Sequence, residues 1–322
     1  MKLAYRMHTK DDEPALIRLW SEHGGWDKVD TKDWAHRLLQ PPFGPSTIAL
    51  AEDVDTGDIV AQFAFIPWRV SVDGHDVRAL RAFAPVFAKP ARSLLSSVHP
   101  IVEMYRYAAR TLGAQNERLI YTVPDPRWMH FLRMFPVLRS GTFPLWSLPL
   151  PLTHSVELGQ GYAATSIEAN DQRIDGLWKI ASRLYGCMAV RDSRALPWKV
   201  SHGNYRVTGV ERGGELVGVV AAQQKGDRQW LVCDLLAADA ADSLRATLVA
   251  AANVGQSEAV AAPVGFPIHK VAVLATPIME PVLRDLDFAR DAYDFPLMVH
   301  ILDSTIARKD VDPARWYVSA ND

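Results

Sequence analysis

Cysteine is scarce in this sequence: Cys187 and Cys233 lie far apart and form no CxxC pair. Neither a disulfide framework nor a zinc knuckle is implied, and a reducing cytoplasm suits the chain. No run approaches the ~18 apolar residues of a membrane-crossing helix, and the N-terminal MKLAYRMHTKDDEPAL has no apolar core of signal-peptide length. A cytoplasmic protein without membrane association is expected. Charge of one sign is lacking too. Lys and Arg number 35 against 37 Asp and Glu, a net charge of −2, so no long-range field draws nucleic acid or anionic lipid. The ten histidines include no HExxH or other ligand spacing, and neither GxSxG nor GxxxxGK followed by Ser or Thr occurs. Metalloprotease, α/β-hydrolase and P-loop chemistry are left without support, and no metal site is expected.

What is present is a globular balance, 48% hydrophobic and 22% charged, over 322 residues. That length favours two cores over one. The organising stretch runs from Leu80 to Pro124. An apolar segment, Leu80 to Phe87, enters a loop; a helix follows with Ile101, Met104, Ala108 and Leu112 on one face; Gly113 closes it; and a second apolar segment, Leu119 to Val123, comes next. This reads as strand, loop, helix, strand. Such a unit aims a loop and a helix's first N–H groups at one spot, which suits an anionic ligand. Pro100 sets the helix start: inside a helix begun at Ala91 it would cost about 3 kcal/mol, whereas a helix begun after Ser97 takes it in the first turn.

Ahead of this stretch, acids in a first turn and Leu16, Leu19 and Trp20 at helical spacing mark a helix after Thr9, and a second helix runs from about Lys32 to Leu39 before Pro41-Pro42. Two β runs joined by Asp55-Thr56-Gly57-Asp58 form a hairpin, and a further strand turns at Asp73-Gly74. The second half repeats the order. Tyr205 to Ala222 is again two β runs, now around Gly213-Gly214; Trp230 to Leu236 is a strand; Asp239 caps a helix with Leu244, Leu248 and Ala251 on its face, which Gly255 closes. FLRMFPVLRSGTFPLWSLPL (131–150) also aligns with VLRDLDFARDAYDFPLMVHIL (282–302), sharing Leu-Arg, a later Arg and Phe-Pro-Leu. Three matches in one order argue for two copies of one α+β unit, with domains at 1–152 and 166–322. The linker is expected within Pro149 to Asn170, where Gly159-Gln-Gly161-Tyr-Ala-Ala matches GxGxxA but follows no β run and so reads as linker.

The order helix, helix, hairpin, strand, loop, helix, strand, helix, strand, strand in each copy resembles the GNAT-type N-acetyltransferases, and two such copies resemble the tandem-GNAT proteins of bacteria. The second copy adds Arg191-Asp192, Trp198, Tyr205, Gly214-Glu215-Leu216 with Gly218, and Asp234-Leu235-Leu236; the tail adds Asp312-Pro313, Trp316-Tyr317 and Asp322. The resemblance implies an α+β fold with a mixed sheet, two acyl-CoA N-acyltransferase domains, acetyl-CoA as co-substrate and acetyl transfer to a small-molecule amine or amino sugar. It places the cofactor along Phe83, Val86, Lys89, Ala91, Arg92 and Ser93, where the family's glycines are missing and its leading base is displaced to Lys89 or Arg92. The second copy, with neither glycine nor base in Leu235 to Asp239, is the supporting one. The family's catalytic tyrosine is unmatched, since Leu132 stands at its position. Tyr121 at a strand end and His130 are the candidate acids, and Glu103 is the candidate base. Each also has a packing or helix-dipole reading. Asp234 either caps the following turn or replaces a ligand contact. The rival is a non-catalytic binding or scaffolding protein built on two degenerate GNAT units.

Overall fold

The computed structural model describes residues 2–24, 30–89, 99–124, 137–152, 156–226, 228–262 and 267–322. The chain forms two compact units. The first comprises Met1–Val70, Asp76–Ser140 and Leu297–Pro313; the second comprises Ser71–His75, Gly141–Pro296 and Ala314–Asp322.

Unit 1 has strands β1 (Leu3–Met7), β2 (Thr47–Asp53), β3 (Ile59–Val72), β4 (His75–Phe87) and β5 (Leu119–Thr122), with helices α1 (Glu13–His23), α2 (Thr31–Leu39) and α3 (Pro100–Ala114). β1 pairs β2 and β2 pairs β3 antiparallel, whereas β4 and β5 run parallel. β5 is paired on its other side by Met298–Ile301, a segment of the second sequence half. A parallel pair needs a crossover, and α3 supplies it. As the proline argument requires, α3 starts at Pro100 with His99 as its N-cap. Ile101, Met104, Tyr105, Ala108 and Leu112 pack on Ala49, Ala51, Phe63, Phe65, Leu80 and Ile120. Each large apolar side chain buried there contributes about 1.5–3 kcal/mol, so this face is one core of the unit. α1 reaches the opposite face, where Trp20 meets Phe83 with ring centroids 6.0 Å apart.

Unit 2 holds the C-terminal part of β6 (Leu138–Pro149), then β7 (Tyr162–Ser166), α4 (Arg173–Ala181), β8 (Cys187–Ala189), α5 (Ala195–Val200), β9 (Arg206–Arg212), β10 (Glu215–Lys225), β11 (Gln229–Ala237), α6 (Asp242–Ala261), β12 (Lys270–Leu274), α7 (Glu280–Asp285), the start of β13 (Ala289–Ile301) and β14 (Trp316–Tyr317). Its pattern repeats that of unit 1: β9, β10 and β11 are antiparallel, and β11 and β12 are parallel with α6 as the crossover. β12 is paired by Leu145–Pro149, from the first sequence half. The repeated Phe-Pro-Leu motifs thus lie in the two long strands by which each half supplies a strand to the other unit.

Three expectations are corrected. The stretch read as linker contains β7, which pairs β9 from Tyr162↔Arg212 to Ser166↔Thr208; its side chains are mostly exposed, so an edge strand here shows no apolar alternation. β1, mostly half-buried, precedes the first helix. Gly255 does not close α6, which continues to Ala261. A Cβ at Gly255 would lie 2.7 Å from Val271 and 2.9 Å from Trp230, so glycine is there to let helix and sheet approach. Asp239 does sit at the start of this helix as expected, its Oδ1 accepting from the N–H of Ala241 at 2.9 Å and of Ser243 at 3.0 Å.

Candidate functional site: the diverging strands of unit 1

The parallel ladder between β4 and β5 is short: Ala79↔Leu119, Leu80↔Ile120 and Arg81↔Tyr121. β5 ends one residue later, at Thr122, while β4 continues to Phe87. Among the described residues, peptide groups of β4 beyond Arg81 that face the β5 side have no strand beside them. β4 is also irregular there. Leu80, Ala82 and Phe87 all belong to the α3-side core, which strict alternation forbids. Val60, which the two-residue turn at Asp73-Gly74 would set opposite Phe87, instead accepts through its O from Ala88 N at 2.9 Å. One extra residue therefore lies between Ala82 and Ala88, and Pro85, with no N–H to lose, suits a bulge.

The divergence makes a gap in a sheet, and a gap joins the two faces. An acyl-pantetheine arm, with its two amides, is the shape that can lie along an unpaired strand edge. Val86 and Phe87 are each 3% exposed beside it, Phe83 is half-buried, and Lys89 is exposed at its end. Ala91, Arg92, Ser93 and His130 lie outside the described residues.

The anionic end of such a ligand would reach the start of α3, and there the expectation of open donors does not hold. Pro100 has no N–H, Ile101 N donates to His99 Nδ1 at 3.3 Å, and Val102 N donates to His99 O at 2.9 Å. The His99 ring also lies edge-on to Phe87, centroids 5.5 Å apart. A phosphate placed on this helix end must displace the His99 cap.

Tyr121 occupies the last rung, 1% exposed, with its hydroxyl buried. Its neighbour Ile120 faces α3, so Tyr121 faces the other way, as does Arg81 opposite it. Glu103 is not brought to Tyr121. It stands in the first turn of α3, its carboxylate 2.9 Å from Arg106, and with Tyr105, Arg110 and His300 it lines a groove of about 410 Å³ beside the helix. There the Tyr105 hydroxyl meets His300 Nδ1 at 3.0 Å. Burial raises the Tyr105 pKa well above its usual value and lowers that of His300, so both are held neutral.

Unit 2 has the same divergence. Its parallel ladder ends at Val232↔Val273 while β11 continues to Ala237. Here the chain's own tail fills the place. Asn321 N donates to Cys233 O at 3.0 Å, and the Tyr317 hydroxyl to Leu235 O at 2.9 Å. Asp234 makes no cap hydrogen bond among the described residues, and its carboxylate pairs with Arg191 and Lys199 instead. With Arg191, Lys199 and Asp322 it forms a buried cluster of two cations and two carboxylates: Arg191 Nε–Asp234 2.6 Å, Lys199 Nζ–Asp234 2.9 Å, Lys199 Nζ–Asp322 2.8 Å, and Arg191 Nη2 with Asp322. Arg191 also lies over the Tyr317 ring, 5.0 Å from its centroid. Asp239 at the start of α6 adds a negative charge where a phosphate would come.

Reading the sequence element by element missed two features here. The His99 cap was hidden because histidine is an unusual cap residue. The Arg191–Lys199–Asp234–Asp322 cluster was hidden because its members are far apart in sequence, although Arg191, Asp234 and Asp322 all stand in the motifs that carried the resemblance.

No protein-family model matches the chain, and no curated protein does. Solved structures do. A GCN5-related N-acetyltransferase from Anabaena variabilis is 12% identical, with 94% of this chain and 73% of that one covered and a TM-score of 0.69. A probable N-acyltransferase of unknown function from Enterococcus faecalis is likewise 12% identical over 94% and 73%, with a TM-score of 0.68. N-myristoyltransferase from Saccharomyces cerevisiae with bound myristoyl-CoA is 11% identical over 92% and 82%, with a TM-score of 0.60. The chain therefore has the mixed-sheet fold of the GNAT-type N-acyltransferases over nearly its whole length, as the resemblance implied.

Proposed function

We propose that unit 1 binds an acyl-CoA, acetyl-CoA in the first instance, along the divergence of β4 and β5 and transfers its acyl group to the amine of a small molecule. The observation that carries this reading is the contrast between the units. In unit 1, β4 runs past its last rung with β5 at Arg81↔Tyr121, whereas in unit 2 the tail residues Tyr317 and Asn321 bond to the β11 carbonyls at the same place. Solved structures of the same fold include one with myristoyl-CoA bound, which supports a coenzyme A thioester as donor.

In the transfer, the amine lone pair attacks the thioester carbonyl carbon, a C–N bond forms, the C–S bond breaks, and sulfur leaves with the electron pair. The amine gives up a proton and the thiolate takes one. Tyr121 is a buried acid at the last rung, where the donor would leave the β4–β5 ladder, and we assign it the proton delivery. Its surroundings also keep water from the thioester. Glu103, turned to the other face and paired with Arg106, is left as a helix-start acid.

The test is acetyl-CoA-dependent release of free coenzyme A thiol with a panel of amines and amino sugars. The assay background is low: Cys187 and Cys233 are fully buried, and burial pushes the Cys233 thiol up to about 11. Amine-dependent thiol release that falls at least tenfold in Tyr121→Phe is expected. No release with any amine, together with no acetyl-CoA-induced rise in Tm, refutes the reading.

A further inference from the structure

The face of the divergence turned away from α3 carries a cation without a counter-charge among the described residues. Arg81 is half-buried, and its one described contact is with the ring of Phe83, which its guanidinium overlies 5.5 Å from the centroid. Arg6 is matched by Asp12 and Glu52, and Arg118 by Asp303; Arg37 keeps a buried Nε without a hydrogen-bond partner, and Arg81 has no carboxylate partner among the described residues. It also stands at the last rung, opposite Tyr121, and Phe83 is itself in contact with Trp20. By the alternation of β3, whose Phe63 and Phe65 face α3, Gln62 points to this same face. Gln62 is 1% exposed, and neither its Oε1 nor its Nε2 has a hydrogen-bond partner. A half-buried guanidinium and a buried amide left unmatched on one face are costly for a face with only a structural task.

We infer that the acceptor is an amine that also carries an anionic group, a carboxylate or a phosphate, and that Arg81 is the residue that binds this group. The inference rests on the acyl-CoA reading of unit 1 and names the substrate class of that site. The donor lies along the edge of β4, so the acceptor reaches the thioester carbon from the face that Arg81 and Tyr121 share. Arg81 then holds the acceptor one rung from the reacting carbon, with Phe83 and Trp20 beside it. Acylation supports the same assignment: it converts an ammonium into a neutral amide, so an anionic amine gains a unit of negative charge during transfer, which a nearby guanidinium favours.

Binding of product-like compounds tests this without turnover. Two matched pairs are titrated calorimetrically: N-acetylglycine against N-acetylglycinamide for a carboxylate, and N-acetylglucosamine 6-phosphate against N-acetylglucosamine for a phosphate. Each is measured on the native chain, Arg81→Gln and Arg81→Lys. In at least one pair the anionic member should bind about tenfold tighter or more, the range of a charge-assisted hydrogen bond. Arg81→Gln should abolish that preference and Arg81→Lys keep part of it. The pair that responds tells carboxylate from phosphate. Equal or unmeasurable binding of both members in both pairs, or a preference that survives in Arg81→Gln, overturns the inference. Donor binding is read separately, from the rise in Tm with acetyl-CoA. Absence of that rise in the native chain would overturn the donor reading, whatever the anion titrations show.

Discussion

Replacing Asp322 by Asn tests how the tail holds unit 2. The cluster it belongs to balances two cations with two carboxylates, and its four side chains are 1–3% exposed. Asp322→Asn leaves Arg191 and Lys199 facing Asp234 alone, an uncompensated buried charge whose usual cost is about 3–5 kcal/mol. For a unit of this size that is a fall in Tm on the order of ten degrees. Lys199→Met leaves the opposite imbalance and should cost a similar amount. The double variant restores neutrality through Arg191 and Asp234, so its loss should be well below the sum of the two, with a coupling of about 1–3 kcal/mol. Calorimetry at neutral pH reads all three, and the transition that moves should be that of unit 2. A pH series adds a second check. Burial alone would raise the Asp322 carboxyl, but Arg191 and Lys199 hold it down to about 2. Its folded value lies below the ordinary carboxylate range near ~4, so the stabilisation is complete above that range and is lost as pH falls from about 4 toward 2. Asp322→Asn should flatten that part of the acid profile. Single variants that each cost under about 1 kcal/mol, or strictly additive losses, would refute the account of the cluster as a neutral buried unit.

Two further substitutions separate readings that differ in sign. Gly255→Ala raises helix propensity by about 1 kcal/mol, but its methyl would lie 2.7 Å from Val271 and 2.9 Å from Trp230; urea unfolding should show a net loss of about 1–3 kcal/mol, and a gain would mean that helix and sheet do not approach as described. Gln62→Leu removes a buried amide without partners. It should raise stability by about 1–2 kcal/mol while lowering acyl transfer, and a loss of stability in thermal unfolding would show that Gln62 is structurally satisfied.

Much of this architecture was legible in the sequence because it depends on local signals. Pro100 placed the start of α3 correctly, since a proline is tolerated in only one part of a helix. Asp73-Gly74 marked a tight turn, and the structure has both residues at positive φ, 50° and 80°. The paired Phe-Pro-Leu motifs lie in β6 and β13. They did not reveal that Leu145–Pro149 and Met298–Ile301 each pair in the unit of the other half, because strand pairing is a long-range choice on which local pattern is silent. Gly255 misled because a glycine late in a helix reads as a cap, and only the position of Val271 and Trp230 shows the contact it permits. Tyr121 was found as a strand-end residue, but its opposition to Arg81 depends on register. The tail's place along β11 required the fold: Asp322 is 131 residues from Arg191.

The most direct measurement is amide hydrogen exchange with and without acetyl-CoA. Protection should appear in β4 from Ala82 to Phe87 and at the start of α3 from Ile101, with β11 beyond Cys233 and the tail from Trp316 unchanged. Protection confined to β11 and the tail, or none anywhere at millimolar ligand, would contradict the assignment of the acyl-CoA site to unit 1.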